Sequence, residues 1–114
     1  MDVDKAVGND IINKENIELP MQSSQLKHIF GNRPGHLTDT PDHRKLLTDT
    51  ANNEKYYRGT DKYGNDWHIF IDNKGRQVWV RSQRGVINEG GRNNTPLVWD
   101  EETGLYKNPI KNNQ

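Results

Sequence analysis

Residues 66–81 decide the fold, and they read DWHIFI, DNKG and RQVWVR in three consecutive pieces. The first and third pieces alternate between two kinds of side chain, and the short polar piece between them has the composition of a turn. The sequence therefore predicts an antiparallel β-hairpin with its turn at residues 72–75.

Alternate side chains of a strand point to opposite faces, so this hairpin is predicted to have two chemically different surfaces. A mixed aromatic, basic and amide surface suits the backbone and bases of a nucleic acid better than it suits a buried layer. With the turn placed there, the predicted core face holds Trp67, Ile69, Ile71, Val78 and Val80, and the predicted mixed face holds His68, Phe70, Gln77, Trp79 and Arg81.

A short helix is predicted before the hairpin, with Ser23 or Ser24 as its N-cap and with its end at Gly31. Leu26, Ile29 and Phe30 share one face of this helix, because they follow the i, i+3, i+4 spacing. That face is the one expected to be buried.

A second helix has a clear start signal at Thr40, Pro41 and Asp42. Threonine is a good N-cap, proline fits the first helical position, and an acid there complements the helix dipole. The helix is predicted to run to about residue 51 or 52 and to pack Leu46 and Leu47 on the core face of the hairpin.

Further strands are predicted on both sides of the hairpin. Residues 56–60 form a first short strand, and residues 86–89 continue the sheet up to a bulge or tight bend at Gly90 and Gly91. Residues 97–99 are a last apolar piece, followed by a polar tail. Helices followed by an antiparallel meander predict the α+β class, with N-terminal helices packed on a single twisted antiparallel β-sheet.

Length and composition fit one small domain that follows a linker. The chain has 114 residues, of which 30% are apolar, and its mean hydropathy is −1.13, so its core must be small. Residues 1–22 are polar without sustained periodicity and are interpreted as a linker, and residues 23–114 as the functional domain. No apolar run is long enough for a membrane span and no signal peptide is visible, so we expect no membrane binding by the domain itself.

Cysteine is absent, which excludes disulfides, thiolate catalysis and cysteine-ligated zinc. The four histidines are scattered, and none forms a pair with the spacing of a helical metal site. We therefore expect neither a metal nor a cofactor.

The formal charge is zero, but acids and bases are unevenly distributed. Residues 1–20 hold five acids and two bases, whereas residues 74–92 hold five bases and a single acid, Glu89. A neutral total can therefore hide a basic patch that binds nucleic acid, although ordinary solvated strand charge is the more conservative interpretation.

Cleavage of RNA without a metal needs a base for the 2′-hydroxyl proton, an acid for the leaving 5′-oxygen, and cations around the phosphate. Histidine serves as acid or base near neutral pH, and arginine holds phosphoryl oxygens bidentately. The inventory is sufficient for this chemistry but does not single it out. The candidate groups are His28, His36, His68, Arg33, Arg81, Arg84, Arg92, the amide of Gln77 and the hydroxyl of Thr95, with Trp79 as a base-stacking residue.

Each candidate also has a structural interpretation. His28 fits a solvated helix position, and His36, which follows Pro34 and Gly35 in a loop, fits a residue that satisfies backbone carbonyls as well as it fits a catalytic one. Thr95 before a proline is, by itself, a turn residue.

Taken together, a series of short motifs resembles the C-terminal toxin domains of bacterial contact-dependent growth inhibition and other polymorphic toxin proteins. The resemblance covers roughly residues 24–106. The motifs are His28-Ile29-Phe30, Pro34-Gly35-His36-Leu37, Asp39-Thr40-Pro41, Arg44-Lys45-Leu46-Leu47, Gly59-Thr60-Asp61, Gln77-Val78-Trp79-Val80, Gly90-Gly91 and Asn94-Thr95-Pro96.

The resemblance implies a ribonuclease of the barnase, EndoU, colicin E5/D and RelE class, with helices followed by a sheet whose open face carries the site. It implies His28 and His36 as acid and base, Arg81 as a phosphate contact and Thr95 as a polar group near the end of the sheet. The order Gln83-Arg84-Gly85 departs from the arginine-then-asparagine order of similar domains, which leaves the identity of the basic residue open.

The resemblance also implies a biological setting. The domain would form the tip of a larger secreted or cell-surface effector, and residues 1–22 would be a remnant of the segment that carries it into a target cell. There it would cut RNA, with tRNA the expected species, leave 2′,3′-cyclic phosphate ends, and be neutralised by a cognate immunity protein. A host protein that activates the toxin is a further possible partner.

Two alternatives remain open at the level of sequence. The hairpin of a non-catalytic module would only dock a protein or a nucleic acid. A DNase toxin would normally use a divalent metal to activate water, and the sequence offers no evident carboxylate and histidine ligand set for one.

Overall fold

The structure, a computed structural model, describes residues 16–109. Two α-helices come first, followed by a 3₁₀ turn and six β-strands. The helices are α1 (Ser23–Ile29) and α2 (Pro41–Ala51), and the 3₁₀ turn is Glu54–Tyr56. The strands are β1 (Tyr57–Thr60), β2 (Asp66–Ile71), β3 (Gln77–Gln83), β4 (Val86–Asn93), β5 (Leu97–Asp100) and β6 (Gly104–Pro109).

Strands β1 to β4 form one antiparallel sheet in chain order, and both helices contact it. The predicted α+β class, with helices packed on an antiparallel sheet, is confirmed. The sheet is not single, however, because β5 and β6 form a separate two-stranded sheet. The prediction of a polar tail after residue 99 is wrong in this part, since Gly104–Pro109 is a strand.

The register of the central hairpin differs from the predicted one by a single residue. His68 lies opposite Val80, Phe70 opposite Val78, and Ile71 opposite Gln77. Because directly opposite residues share a face, His68 and Phe70 lie on the helix-covered face with the valines. Trp67, Ile69 and Ile71 lie on the other face with Gln77, Trp79 and Arg81, so the predicted division of the two faces is wrong.

The cause lies in the turn, which includes one residue more than predicted. Asp72 donates its N–H to the carbonyl of Arg76, and its carboxylate accepts hydrogen bonds from the N–H groups of Lys74 and Arg76. The Arg76 side chain also donates to this carboxylate at 2.8 Å. Arg76 therefore belongs to the turn, and a slip of one residue exchanges every side chain between faces.

The main core lies between the two helices and the sheet. Ile29, Leu47, Val80 and Ile87 are fully buried there, and Val78 is nearly so. Helix α2 begins as predicted, with Thr40 as N-cap, because its hydroxyl accepts a hydrogen bond from the N–H of His43 at 3.1 Å. The predicted cap of α1 is wrong, because its N-cap is Gln22, which makes no side-chain cap hydrogen bond, and Ser23 is already inside the helix.

The segment before α1 is attached to the domain over the part that is described. Glu18 forms a parallel bridge with Val86 at the outer edge of β4, and Ile17 exchanges two hydrogen bonds with the side chain of Asn52. Of the predicted linker, residues 1–15 lie outside the described residues, as do residues 110–114 at the other end.

The predicted bulge at Gly90 and Gly91 is in fact at Asn88. Arg81 pairs with Glu89 and Ser82 pairs with Ile87, so Asn88 is the extra residue of β4. The two glycines instead permit close packing on opposite faces of the strand. Gly90 lies against Leu47, and Gly91 lies against the backbone of Gly35.

The β5–β6 hairpin packs over part of the face that carries Trp67, Gln77 and Trp79. Gln77 ties it down, because its Oε1 accepts a hydrogen bond from the N–H of Leu97 and its Nε2 donates to the carbonyl of the same residue, both at 3.0 Å. Gly104 lies directly against the ring of Trp67. The remainder of this face is left open beside Arg81 and Glu89. No helix among residues 16–109 is long and apolar enough to cross a membrane.

Candidate active site

Glu89 stands between two histidines on the partly open face of the sheet. Its Oε2 lies 2.9 Å from Nε2 of His28, and its Oε1 lies 3.7 Å from Nδ1 of His36. The side chains of Glu89 and His36 are 15% and 16% exposed, whereas that of His28 is 64% exposed. The carboxylate is thus largely enclosed, with one histidine beneath the surface and one on it.

His28 reaches this position from the last turn of α1. The next two residues, Ile29 and Phe30, are buried in the core and fix the end of the helix against β4. The carbonyl of His28 accepts a hydrogen bond from the guanidinium of Arg33 at 2.6 Å. The chain is therefore held on both sides of the histidine.

His36 is carried by a loop that is anchored at each end. The N–H of Gly31 donates to the carbonyl of Leu37, and the N–H of Arg92 donates to the carbonyl of Gly35. Gly35 has a φ of 81°, in the left-handed region that favours glycine. These bonds hold the His36 ring edge-on to Trp79, with ring centroids 5.8 Å apart.

The hydrogen bonds of His36 assign its tautomer. Nδ1 lies 2.9 Å from the carbonyl oxygen of Ile29, which can only accept, so Nδ1 carries a hydrogen. The guanidinium of Arg33, which can only donate, is therefore a neighbour of Nδ1 at 3.2 Å and not its hydrogen-bond partner. Nε2 is the nitrogen left to exchange a proton with a ligand.

Arg81 supplies the positive charge next to this cluster. It lies directly opposite Glu89 across the β3–β4 ladder, and its Nε donates to Oδ1 of Asn88 at 2.7 Å. Among the described side chains, Asn88 is the one hydrogen-bond partner of the guanidinium, so its terminal nitrogens remain for a ligand. A guanidinium held through Nε presents its other N–H groups in a fixed direction.

A chain of side-chain hydrogen bonds through two amides and one carboxylate connects Arg81 to the turn between β1 and β2. Nδ2 of Asn88 donates to Oδ1 of Asn65 at 3.1 Å, and the amide of Asn65 donates to the carboxylate of Asp61. Burial of Asp61 acts to raise its pKa, but hydrogen bonds from Trp67, Asn65 and Tyr63 outweigh burial and hold the pKa below its ordinary value. Asp61 is thus a charged anchor for the chain of hydrogen bonds.

Two cavities open next to Arg81. One, of about 420 Å³, lies beside α1 and is lined by His28, Asn88 and Arg81 among others. The second, of about 430 Å³, lies under the β5–β6 hairpin and is lined by His36, Glu89 and Arg81 among others. Arg81 borders both cavities, and the contact between His28 and Glu89 links the two.

Three predicted binding residues lie elsewhere or are occupied. His68 is 7% exposed on the helix-covered face, beside Tyr57, so its predicted place on the mixed face is wrong because of the register. Gln77 is 3% exposed, and its amide is used up by Leu97 and Asn93. Trp79 is on the predicted face but is 8% exposed and stacked on Trp67, which leaves its ring little free area for a base.

The remaining predicted residues are divided. Arg33 lies in the site through its contacts with His28 and His36. Arg84 is exposed in the β3–β4 turn with a φ of 55°, and Arg92 lies opposite Val78, on the helix-covered face. Thr95 is exposed between β4 and β5 and, within the described residues, makes no hydrogen bond to the cluster.

Two residues of the site were not predicted, Glu89 and Asn88. Glu89 carried a visible signal, since it is the single acid in the basic stretch 74–92. Asn88 carried none, because its direction depends on the bulge that makes it the extra residue of β4.

No group of three or more histidine, aspartate or glutamate side chains within residues 16–109 has an arrangement that would hold a metal ion. No protein-family model, no curated protein and no solved structure matches this chain.

Proposed function

We propose that this domain is an endoribonuclease that cuts RNA by transesterification without a metal. The observation that supports this most is the position of Glu89 between His28 and His36, directly across the ladder from Arg81. Metal-free RNA cleavage needs a proton acceptor, a proton donor and a cation within reach of one phosphate, and these side chains supply all three.

In this proposal Glu89 takes the proton of the 2′-hydroxyl, because an ionised carboxylate can only accept. The 2′-oxygen attacks phosphorus, the bond from phosphorus to the 5′-oxygen breaks, and a proton from Nε2 of protonated His36 goes to that oxygen. The products are a 2′,3′-cyclic phosphate and a 5′-hydroxyl. Arg81 stabilises the charge that builds on the phosphoryl oxygens.

His28 has a different part in the proposal. It is the exposed histidine, and its Nε2 contacts the carboxylate oxygen that faces away from His36. A donor at that position orients the carboxylate, so His28 is a positioning residue for Glu89. Nothing in the geometry requires Thr95 for the reaction.

The biological setting follows from the sequence resemblance. We propose a toxin domain of a larger secreted or cell-surface effector that acts on tRNA in the cytosol of a competing bacterium. A cognate immunity protein would cover the basic region 74–92 and would itself be acidic there.

Incubation of the purified domain with total bacterial tRNA in EDTA tests the enzymatic proposal. Wild-type protein should give fragments with cyclic phosphate ends, and Glu89→Gln or His36→Ala should lower the rate by about a hundredfold or more. His43→Ala is the matched control, since His43 bonds to Thr38 outside the cluster. Intact tRNA with the wild type, also after target-cell extract is added, would overturn the proposal.

The cleavage assay, together with a binding assay, separates the two alternatives. A DNase would leave RNA intact and cut DNA once a divalent metal replaces EDTA. A non-catalytic module would bind RNA or a protein equally well after Glu89→Gln and His36→Ala.

A further inference from the structure

The two cavities beside Arg81 differ in their walls. The cavity beside α1 is bordered by the polar residues Ser24, Gln25 and Asn88 and by the apolar residues Pro20, Val86 and Ile87. The cavity under the hairpin is bordered by Trp67 and Trp79, together with Leu97 and Leu105. Both have the volume of ordinary small-ligand pockets, so each can hold a group the size of a nucleoside.

Arg81 is the boundary between the cavities and the group best placed to bind an anion there. Its Nε is held by Asn88, while its terminal nitrogens have no partner among the side chains that the structure describes. A phosphate on these nitrogens would lie between the two cavities, next to Glu89 across the ladder. In a single strand of nucleic acid, each phosphate likewise lies between two nucleosides.

We infer that the site binds two successive nucleosides of a single strand, one in each cavity, with the phosphate that joins them on Arg81. This inference rests on the proposed function and specifies its substrate. Paired bases stay stacked on one another, so they cannot occupy two separate cavities on either side of a side chain. The substrate is therefore an unpaired segment, such as a loop or an end.

Filling each cavity tests the inference. Ser24→Trp fills the α1 cavity and Thr103→Trp fills the hairpin cavity. Their matched controls are Ser23→Trp and Glu102→Trp, at neighbouring positions that line neither cavity. The substrates are a short RNA whose cleaved bond has been mapped and two versions of it, each lacking the base on one side of that bond.

Each filled variant should cut the intact RNA more slowly, by a factor on the order of ten, while the controls cut normally. On the RNA that lacks the base of its own cavity, a filled variant should cut at the rate at which the wild type cuts that same RNA. On the RNA that lacks the other base, its defect should persist. Equal defects on all three RNAs would overturn the inference.

A form of each RNA that lacks the attacking 2′-hydroxyl cannot be cut by transesterification. Its binding therefore tests the two-nucleoside site separately from the proposed cleavage. Tryptophan fluorescence measures the binding, and thermal unfolding shows whether a variant is folded. If Ser24→Trp does not fold, Gln25→Ala replaces it in the α1 cavity, and if Thr103→Trp does not fold, Leu105→Ala replaces it in the hairpin cavity. Each replacement should show a defect that disappears on the RNA lacking the base of its own cavity.

The outcomes are distinct for the two proposals. If the wild type cuts no RNA, binding is measured instead with a dinucleotide and with two versions that each lack one base. A side-specific pattern in that binding would overturn the ribonuclease and retain the two-nucleoside site. A wild type that cuts RNA but shows no side-specific effect would overturn only the two-nucleoside site. Absence of both cutting and binding would overturn both.

Discussion

Arg81 donates a hydrogen bond from Nε to Oδ1 of Asn88 at 2.7 Å, and Asn88 is in turn held by Asn65. The bond exists because β4 has a bulge at Asn88, which brings its side chain back over β3. A regular strand would have turned this amide away from the arginine. The bulge therefore fixes the direction of the cation beside Glu89.

Asn88→Ala should lower kcat/KM for RNA by roughly tenfold, since a hydrogen bond to a charged group contributes about 1.5–3 kcal/mol. Asn88→Asp should recover part of the loss, because its carboxylate still accepts from Nε. Asn94→Ala, at an exposed position in the next turn, is the control. Steady-state kinetics on a defined RNA measure all three variants. An unchanged kcat/KM in Asn88→Ala would show that the hydrogen bond from Asn88 is not needed to orient Arg81.

Gly90 and Gly91 are adjacent glycines, but only Gly91 contacts the loop that carries His36, so alanine at Gly90 is a control for alanine at Gly91. A methyl group at Gly91 would collide with the carbonyl of Gly35, so Gly91→Ala should displace His36 and reduce RNA cleavage strongly. At Gly90 the methyl group would meet Leu47 at 3.1 Å, so Gly90→Ala should overpack the core and lower the free energy of unfolding by about 1–3 kcal/mol.

Activity assays and chemical denaturation together distinguish the two glycines. Gly91→Ala should lose activity while most of its stability remains, and Gly90→Ala should lose stability while the folded fraction remains active. If both variants lose activity and stability in parallel, the loop is not positioned by Gly91 in the way proposed.

His68 should make the domain less stable in mild acid. Burial lowers its pKa below the ordinary value of 6.5, although nearby Asp66 acts in the opposite direction. The unfolded chain therefore takes up a proton at higher pH than the folded chain does. This contribution to stability is complete above the unfolded pKa and is lost as the pH falls from there through the folded pKa.

Denaturant midpoints at about pH 8 and about pH 5 measure the effect, and His68→Phe should reduce the difference between them. Phenylalanine has a similar planar ring and removes Nδ1, which is buried without a hydrogen-bond partner among the described residues. An equal pH dependence in wild type and His68→Phe would mean that other groups cause it.

Most elements of the fold could be predicted from the sequence, but the strand Gly104–Pro109 and the register of the central hairpin could not. Alternation, caps and turn residues identify α2, the central hairpin and β4, because these signals are local. The register depends on whether Arg76 belongs to the turn, and that is decided by hydrogen bonds to Asp72. One residue of difference moved His68 into the core.

The candidate site was predictable only in part for a related reason. His28, His36 and Arg81 were identified by residue type, and the loop at Gly35 brings His36 to the sheet. Glu89 joins them through strand pairing, and strand pairing depends on the register and on a bulge. Residue types can be recognised in isolation, whereas the pairing that assembles them is a property of the folded chain.

Gln77 was expected to bind substrate, and its contacts instead predict a role in closing the hairpin cavity. Its amide satisfies both the N–H and the carbonyl of Leu97, and it also accepts from Asn93. Gln77→Leu keeps the size of the side chain but leaves these groups unpaired, at a cost of about 1–3 kcal/mol for each one that stays buried.

The β5–β6 hairpin should therefore open more often in Gln77→Leu. Amide hydrogen exchange at residues 97–105 should be faster than in the wild type, while exchange in β2 and β3 changes less. Because the hairpin forms a wall of one cavity, and Glu89 and His36 of the proposed proton transfers lie outside it, KM for RNA should rise more than kcat falls. A drop confined to kcat would instead place Gln77 in contact with the reacting groups.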